Sequence, residues 1–308
     1  MTRKRIVANL VKLTLTGIIL YFVGRQVAGQ WDAVRDYDWQ LDPLWFAGSC
    51  VPALAAFFCF STSWKMIIGG FGHRLSAPMA FKISYLSHLG RYIPGKIWQV
   101  FGMLYLAKKE GVPEEQAGAS FVLFQLFTIP ASILVYVLAA QAESRLLSDK
   151  VALLGQGSTL IIGIAMLAAC AVLIFWPAPI LKAANAVLVR FGRPPAKFML
   201  DKRVALVIFG GYFVGWVLFG LAFWMFLKAV LGDTAPSATA AVGLYNIAYQ
   251  IGYLTLFAPG GFGPRELVMG LLLTPFIGPI AAAVAVLARL WSVAIETVAA
   301  LMALLIRR

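Results

Sequence analysis

Charged residues are scarce in this chain of 308 residues: 13% are Asp, Glu, Lys or Arg, whereas 61% are hydrophobic. This balance is too apolar for a soluble domain and is typical of a protein with several membrane-spanning segments. Acidic residues are fewer than basic ones, and the net charge is +13, but no basic arm or basic soluble domain carries that charge. Nucleic acid is therefore not expected as a partner.

Cysteine and the common catalytic motifs are also rare. Cys50, Cys59 and Cys170 all lie in apolar runs, so we expect apolar packing and neither a disulfide nor a metal site. HExxH, P-loop, GxSxG and Cys/His metal spacings do not occur in the sequence. The sequence thus predicts no metal, no cofactor and no enzymatic activity. We also expect no soluble domain, since the chain ends at "LLIRR" directly after an apolar run.

Six apolar runs are long enough to cross a bilayer, which takes about 20 residues. These runs are residues 6–24, 43–67, 117–140, 153–177, 204–229 and 279–305. The first is interpreted as a retained span, because no small-residue cleavage site follows it. Two more apolar segments are interrupted: 78–106 at "RYIPGK" and 237–276 at "APGGFGPRE". Proline and buried charge are costly in lipid, so each interruption is either a water-exposed loop or a working site inside the membrane.

Loop charges predict that each interrupted segment enters and leaves the membrane on the same side. Lys108, Lys109 and the basic loop after 177 would face outward if 78–106 crossed once, against the positive-inside rule. A re-entrant hairpin keeps them inside. The same parity applies to 237–276, although its first limb, 237–257, is long enough to cross alone. We therefore expect a cytoplasmic-membrane protein with both termini cytoplasmic.

The two halves of the chain have the same predicted order of elements. Residues 1–140 give span, span, hairpin from the inside and span; residues 141–308 give span, span, hairpin from the outside and span. The predicted fold is a single all-α membrane domain of six full spans and two broken or re-entrant helical hairpins, arranged as an inverted-topology repeat. Transporters of this design bind their substrate where the broken helices meet.

The hairpin tips predict a polar cavity, because irregular backbone at membrane depth is tolerated only against protein or water. Its candidate substrate-binding residues are Arg91, Lys96, Gln99, Arg265 and Glu266; the tips themselves are Pro94, Gly95, Pro259, Gly260, Gly261 and Gly263. Cations beside the free amides of helix N-termini suit an anion such as a phosphate. The alternative is that the first-tip cations snorkel to the surface and that Arg265 and Glu266 form a structural ion pair.

Two further charges lie inside the last span. Arg289 and Glu296 are seven residues apart on one helical face, and they form either a structural pair or, at Glu296, a proton site. His88, just before the first tip, is expected to be a hydrogen-bonded packing residue. Residues 179–202 are either a short interfacial helix on the anionic cytoplasmic leaflet or a basic connecting loop.

The stretches "LGRYIPGKIWQV" and "APGGFGPREL" resemble the paired signatures of the lysylphosphatidylglycerol synthase transmembrane family, also called flippase-like. The positions that match are Arg91, Pro94, Gly95, Lys96, Pro259, Gly260, Gly261, Gly263, Arg265 and Glu266. The resemblance, which extends to the membrane domain of the multiple peptide resistance factor, implies movement of lipid across the bilayer. The aminoacyl-transfer domain that makes aminoacylated phosphatidylglycerol is not expected here. The resemblance thus implies another phospholipid or a polyprenyl-phosphate-linked lipid, supplied by a separate enzyme.

Two other functions remain open at the level of sequence. Asp36-x-Asp38, in the first outer loop, is similar to the metal-binding acids of polyprenyl-phosphate-dependent glycosyltransferases, so a membrane-embedded lipid-modifying enzyme is the alternative. A scaffold or channel subunit is the third possibility.

Overall fold

A computed structural model describes most of the chain as helix. The described residues are 31–92, 97–143, 200–255 and 261–306, with 28, 146, 161, 163–168, 171–172, 186, 189–190, 198 and 258. The predicted span 6–24 lies outside them, as do most of 153–177 and most of 179–202. The tip residues Pro94, Gly95, Lys96, Pro259 and Gly260 and the cysteine Cys170 also lie outside the described residues.

The helices follow the predicted order. They are α1 Trp31–Asp36, α2 Pro43–Gly70, α3 Ala77–His88, α4 Ile97–Lys109, α5 Glu114–Ala142, α6 Lys202–Leu231, α7 Ala238–Leu254, α8 Pro264–Ile277 and α9 Ala281–Leu305. Short 3-10 turns cover Leu89–Tyr92 after α3, Gly232–Thr234 after α6 and Gly278–Ile280 between α8 and α9. The described part of the chain contains no β-strand.

Side-chain caps fix where several of these helices begin. Asp42 accepts hydrogen bonds from the backbone N–H groups of Leu44 and Trp45, at 2.8 and 3.2 Å, directly before Pro43 opens α2. Ser76 and Ser237 cap α3 and α7 in the same way. A capping oxygen satisfies N–H groups that have no partner within the helix, and proline is tolerated in the first turn for the same reason.

Four stretches of the described chain are long and apolar enough to cross a membrane: Pro43–Gly70, Glu114–Ala142, Lys202–Thr234 and Pro264–Leu305. The first three confirm the predicted spans that begin at 43, 117 and 204. The fourth stretch is not one continuous helix. Its chain turns at Gly278, which has a φ of 64°, and α8 then packs against α9. It therefore contains a hairpin limb followed by the predicted span 279–305.

The two interrupted segments form helical hairpins. α3 packs against α4, and α7 packs against α8. With 12, 13, 17 and 14 residues, these limbs are about 18–26 Å long, shorter than the ~30 Å hydrocarbon core. Small residues allow the close approach: a Cβ on Gly102 would lie 3.3 Å from the Ser87 Cβ, and one on Gly252 would lie 2.6 Å from the Arg265 Cβ.

Helix packing in one half has a counterpart in the other half. α2 packs against α6 at the centre. If α2, α3, α4 and α5 are matched in order with α6, α7, α8 and α9, the contacts α2–α3, α3–α4, α4–α5, α2–α5, α5–α6 and α3–α9 correspond to α6–α7, α7–α8, α8–α9, α6–α9, α9–α2 and α7–α5. The first hairpin thus packs through α3 against α9, the last helix of the second half, and the second hairpin packs through α7 against α5.

The centre of the molecule is aromatic. The Phe219 ring packs against Phe57, Tyr245 and Trp291, which belong to α2, α7 and α9. Cys50 and Cys59 are free thiols, half-buried within α2. These aromatic contacts hold α2, α6, α7 and α9 against one another.

Candidate functional site

Five charged residues meet where the two hairpins approach α9. Arg91 lies in the turn after α3, Arg265 and Glu266 lie at the start of α8, and Arg289 and Glu296 lie on α9. Each is buried, with at most 6% of its surface exposed. We call these five residues the charged cluster. Burying an ion is costly unless it is paired, so the partners of each residue determine what the cluster can do.

Arg91 and Glu296 form a buried ion pair through Nη2 and Oε1. The second oxygen of Glu296 accepts a hydrogen bond of 2.6 Å from the Tyr92 hydroxyl. Arg91 is thus held inside the protein, and the alternative that it snorkels to the membrane surface does not apply. The pair joins the tip of the first hairpin to α9.

Arg289 has a different ionic partner from the one expected. Its Nε lies 3.4 Å from Oε1 of Glu266, and its guanidinium lies 4.3 Å from the centre of the Phe262 ring. Arg289 and Glu296 were predicted to be either a structural pair or, at Glu296, a proton site. In the structure, Glu296 forms an ion pair with Arg91 of the first hairpin, and Arg289 forms one with Glu266 of the second. Seven residues span about 10 Å along a helix, and the hairpin tips bring opposite charges closer than that.

Glu266 also shapes the second tip. Its Oε2 accepts a 2.6 Å hydrogen bond from the backbone N–H of Gly263, which closes the first turn of α8. Gly261 and Gly263 have φ values of 78° and 92°, which side chains rarely adopt. A Cβ on Gly261 would also lie 2.9 Å from the carbonyl oxygen of Gly252. The N–H of Gly263 is thus occupied by Glu266 and is not free to bind an anion.

Arg265 contacts two tyrosines of α7. Its Nη2 donates a 2.7 Å hydrogen bond to the Tyr245 hydroxyl, and its guanidinium lies 4.9 and 5.0 Å from the ring centres of Tyr245 and Tyr249. Within the described residues, no carboxylate lies within ion-pair distance of Arg265. The structural Arg265–Glu266 ion pair of the alternative interpretation is therefore not formed. The hydrogen-bond partner of Arg265 is instead the neutral hydroxyl of Tyr245.

His88 and Gln99 complete the surroundings of Arg91. His88 Nε2 accepts a 2.8 Å hydrogen bond from Arg91 Nη1, because a guanidinium can only donate. The other ring nitrogen, Nδ1, lies 3.1 Å from the amide nitrogen Nε2 of Gln99. Gln99 is buried, and His88 is partly buried. Lys96 lies outside the described residues.

A tyrosine stripe on α7 contributes to the site and was not among the predicted residues. Tyr245, Tyr249 and Tyr253 recur every four residues, so they lie on one helical face. Their hydroxyls contact Arg265, Arg91 and Gln125 respectively. The spacing was visible in the sequence, but tyrosines at helical spacing are common in helix cores. Only the tertiary structure shows that Tyr245 and Tyr249 contact arginines.

A small cavity of about 60 Å³ is lined by His88 and Glu296, both of which contact Arg91. Ten aromatic residues line it: Phe57, Phe60, Trp64, Tyr85, Phe121, Phe124, Trp216, Phe219, Tyr249 and Tyr253. Its polar lining includes Ser61, Ser84, Ser87, His88, Gln99, Gln125, Thr128, Gln250 and Glu296. The buried Oε1 of Gln250 has no hydrogen-bond partner among the described residues. A water molecule needs about 10–15 Å³ of such space, so the cavity can hold a few waters but not a lipid in this conformation.

The cluster carries an excess of positive charge. Three arginines face two glutamates among its five members. Buried guanidiniums favour carboxylates and phosphates, because their planar N–H groups match the geometry of these anions. The cluster can therefore hold an additional anion at little electrostatic cost.

The loop that contains Asp36 and Asp38 offers a different chemistry. Asp36 pairs with its neighbour Arg35 at 3.0 Å, and Asp38 accepts a 2.7 Å hydrogen bond from Gln40. Within the described residues, no three His, Cys, Asp or Glu side chains gather as a metal site would require. The Asp36-x-Asp38 interpretation thus gains no ligand set from the described geometry.

Comparison with known proteins identifies the family. No curated protein gives a significant sequence match to the chain. A family model does match: the lysylphosphatidylglycerol synthase TM region aligns with residues 9–300, nearly the whole sequence. This match agrees with the resemblance seen in the two tip signatures, and it covers both hairpins and all described spans. The chain is therefore a membrane protein that belongs to the lysylphosphatidylglycerol synthase transmembrane family.

Proposed function

We propose that this protein is a flippase or transporter that moves a lipid with an anionic head group across the cytoplasmic membrane. The observation that carries the proposal is the charged cluster, in which three buried arginines from both hairpins and α9 outnumber two buried glutamates. A phosphate supplies the missing negative charge. Membership of a lipid-related membrane family supports the same substrate class.

The proposal includes an inverted-topology repeat with six full spans. The matched helix contacts of the two halves support it, because a two-fold relation would pair each contact with a counterpart in this way. Both termini are proposed to be cytoplasmic, as the loop charges predict. The two hairpins would then enter from opposite sides and meet near the midplane, which is where the charged cluster would lie.

In this proposal the protein binds and releases lipid without covalent chemistry. Arg265 is the first ligand of the phosphate, because its hydrogen-bond partner is a neutral hydroxyl. The aromatic cavity lined by Glu296 would take the uncharged part of the head group once it opens. The lipid is a phospholipid or a polyprenyl-phosphate lipid made by a separate enzyme. Anionic lipids of the cytoplasmic leaflet would contact the basic loops.

Reconstituted vesicles test the proposal. Purified protein is placed in vesicles that contain a fluorescent phosphatidylglycerol, and an external quencher measures how much probe changes leaflet. Wild-type protein should accelerate this exchange, and Arg265→Gln should reduce the acceleration strongly. Arg203→Gln, which removes an exposed arginine at the start of α6, is the matched control and should retain it.

Two results would contradict transport. If wild-type protein leaves the exchange rate at that of empty vesicles and no anionic lipid co-purifies in native mass spectrometry, the cluster is a structural network. If purified protein instead converts a lipid-phosphate substrate only when a divalent metal is added, the lipid-modifying enzyme is the better description.

A further inference from the structure

Glu296 occupies the position that an anion would take beside Arg91. Its two carboxylate oxygens face Arg91 and the Tyr92 hydroxyl. Both terminal nitrogens of Arg91 are already engaged: Nη1 with Tyr249 and His88, and Nη2 with Glu296 and Tyr92. The Nε of Arg91 is buried and has no hydrogen-bond partner among the described residues. A phosphate therefore cannot contact the terminal nitrogens of Arg91 unless one of these groups moves away.

Among these groups, Glu296 is the one that a phosphate can replace. Both are oxyanions that accept hydrogen bonds from a guanidinium and a hydroxyl. Tyr249 and His88 are neutral. If the phosphate displaced either of them, both the phosphate and Glu296 would contact Arg91, and two anions would lie side by side. Exchange of Glu296 instead frees a carboxylate that already lines the cavity and can turn toward the space there.

The second buried glutamate of the charged cluster, Glu266, makes different contacts. Glu266 accepts a hydrogen bond from the Gly263 backbone and faces Arg289, so it closes the first turn of its own helix. Its removal would unwind a helix end. Glu296 lies in the interior of α9, where the backbone bonds are made within the helix, and its contacts are to side chains of another element.

We propose that Glu296 is a displaceable counter-ion that holds the phosphate subsite of Arg91 until the lipid arrives. This rests on the proposed function, since it assumes that the cluster binds a lipid phosphate. The phosphate first meets Arg265 and then replaces Glu296 at Arg91 and Tyr92. Return of Glu296 to Arg91 expels the phosphate, so the same carboxylate that competes with binding also drives release.

The exchange also links binding to a change of shape. The Arg91–Glu296 pair and the Tyr92–Glu296 hydrogen bond tie the first hairpin to α9. When the phosphate takes over both donors, the first hairpin is tied to the lipid and no longer to α9 through these contacts. The small cavity between them can then widen to admit the head group.

Lipid binding by Glu296→Gln tests the exchange. The glutamine keeps the shape of the side chain but removes the competing charge. We expect short-chain phosphatidylglycerol to bind about tenfold more tightly than to wild type, because one charge-assisted contact no longer competes. Short-chain phosphatidylcholine, whose net charge is zero, should gain less. Exchange between leaflets should slow, because release has lost its competitor.

Glu114→Gln is the matched control. It removes a carboxylate that pairs with Lys108 outside the charged cluster, so it should not tighten phosphatidylglycerol binding. Equal or weaker binding by Glu296→Gln, with wild-type binding intact, would overturn the exchange and leave the proposed function standing. Absence of phosphatidylglycerol binding by wild type would overturn both.

Folding of the variant gives a second measurement. Glu296→Gln leaves Arg91 without its counter-ion, so the protein should melt at a lower temperature in neutral detergent. If the subsite accepts phosphate, added phosphatidylglycerol should raise its melting temperature more than that of wild type. Aggregation of Glu296→Gln in the presence of this lipid, together with normal folding of the double variant Arg91→Gln/Glu296→Gln, would show a fixed structural pair and overturn the proposal.

Discussion

Tyr249 joins the two hairpins: its hydroxyl, on α7 of the second hairpin, accepts a 2.8 Å hydrogen bond from Nη1 of Arg91 at the tip of the first. The same ring lies 5.0 Å from the guanidinium of Arg265 and 5.9 Å from that of Arg91. One aromatic residue thus lies between two like-charged groups from opposite halves of the chain. The negative face of the ring lessens their repulsion, and the hydroxyl fixes their relative positions.

Replacement of Tyr249 by phenylalanine should weaken this contact between the two hairpins but leave the aromatic ring in place. The ring remains over both arginines, but Arg91 loses one acceptor. We expect a loss of about 0.6–1.7 kcal/mol in stability, the usual range for such bonds inside membrane proteins. Melting in detergent would measure it. Tyr105→Phe removes a hydroxyl from an exposed ring on α4 and should change the melting temperature little; equal losses in both variants would contradict the role of Tyr249.

Cysteine labelling can test the predicted inverted topology. Single cysteines at Arg74 and Lys109 flank the first hairpin, and those at Asp233 and Pro279 flank the second; all four positions are exposed. In a background that lacks the native cysteines, a membrane-impermeant maleimide should label the first two from the cytoplasmic side and the last two from the outside. Labelling of Arg74→Cys and Lys109→Cys from opposite sides would mean that the first hairpin crosses the membrane.

The order of elements was predictable from the sequence because it depends on local signals. Apolar length located the three long helices α2, α5 and α6, and Pro-Gly interruptions located both hairpins. Loop charge gave a prediction of sidedness, which stays a prediction. The signals of apolar length and interruption need no knowledge of which helix contacts which, so the all-helical membrane class and the residues that form the charged cluster could be recognised.

The partners within the site could not be predicted, because they depend on how separate elements meet. The sequence places Arg289 and Glu296 on one face of α9, and it places Arg265 next to Glu266. In the structure, Glu296 pairs with Arg91, from 205 residues earlier in the chain, and Arg289 pairs with Glu266. Neighbours in sequence compete with residues brought close by packing, and here the latter have the better geometry.

A glycine of α6 provides a test of the helix packing that supports the site. A Cβ on Gly220 would lie 2.7 Å from the Cα of Val242, so Gly220→Ala would push the backbone of α7 away from α6. Overpacking of this kind typically costs about 1–3 kcal/mol. Gly210→Ala, on the same helix, has open space around the added methyl group and should be neutral or stabilising. Thermal unfolding of both variants would show whether α7 lies as close to α6 as described.

Arg265→Lys separates charge from geometry at the proposed phosphate ligand. Arginine at this position donates to the Tyr245 hydroxyl while its flat guanidinium lies over two tyrosine rings. Lysine keeps the positive charge but offers a single point of charge and no planar fork. Phosphatidylglycerol binding should therefore fall between that of wild type and that of Arg265→Gln. Titration of the three proteins with short-chain phosphatidylglycerol at two salt concentrations would measure this order. If Arg265→Lys bound as tightly as wild type, the cluster would act through net charge alone. If Arg265→Lys bound as weakly as Arg265→Gln, the phosphate would require the shape of the guanidinium and its tyrosine contacts.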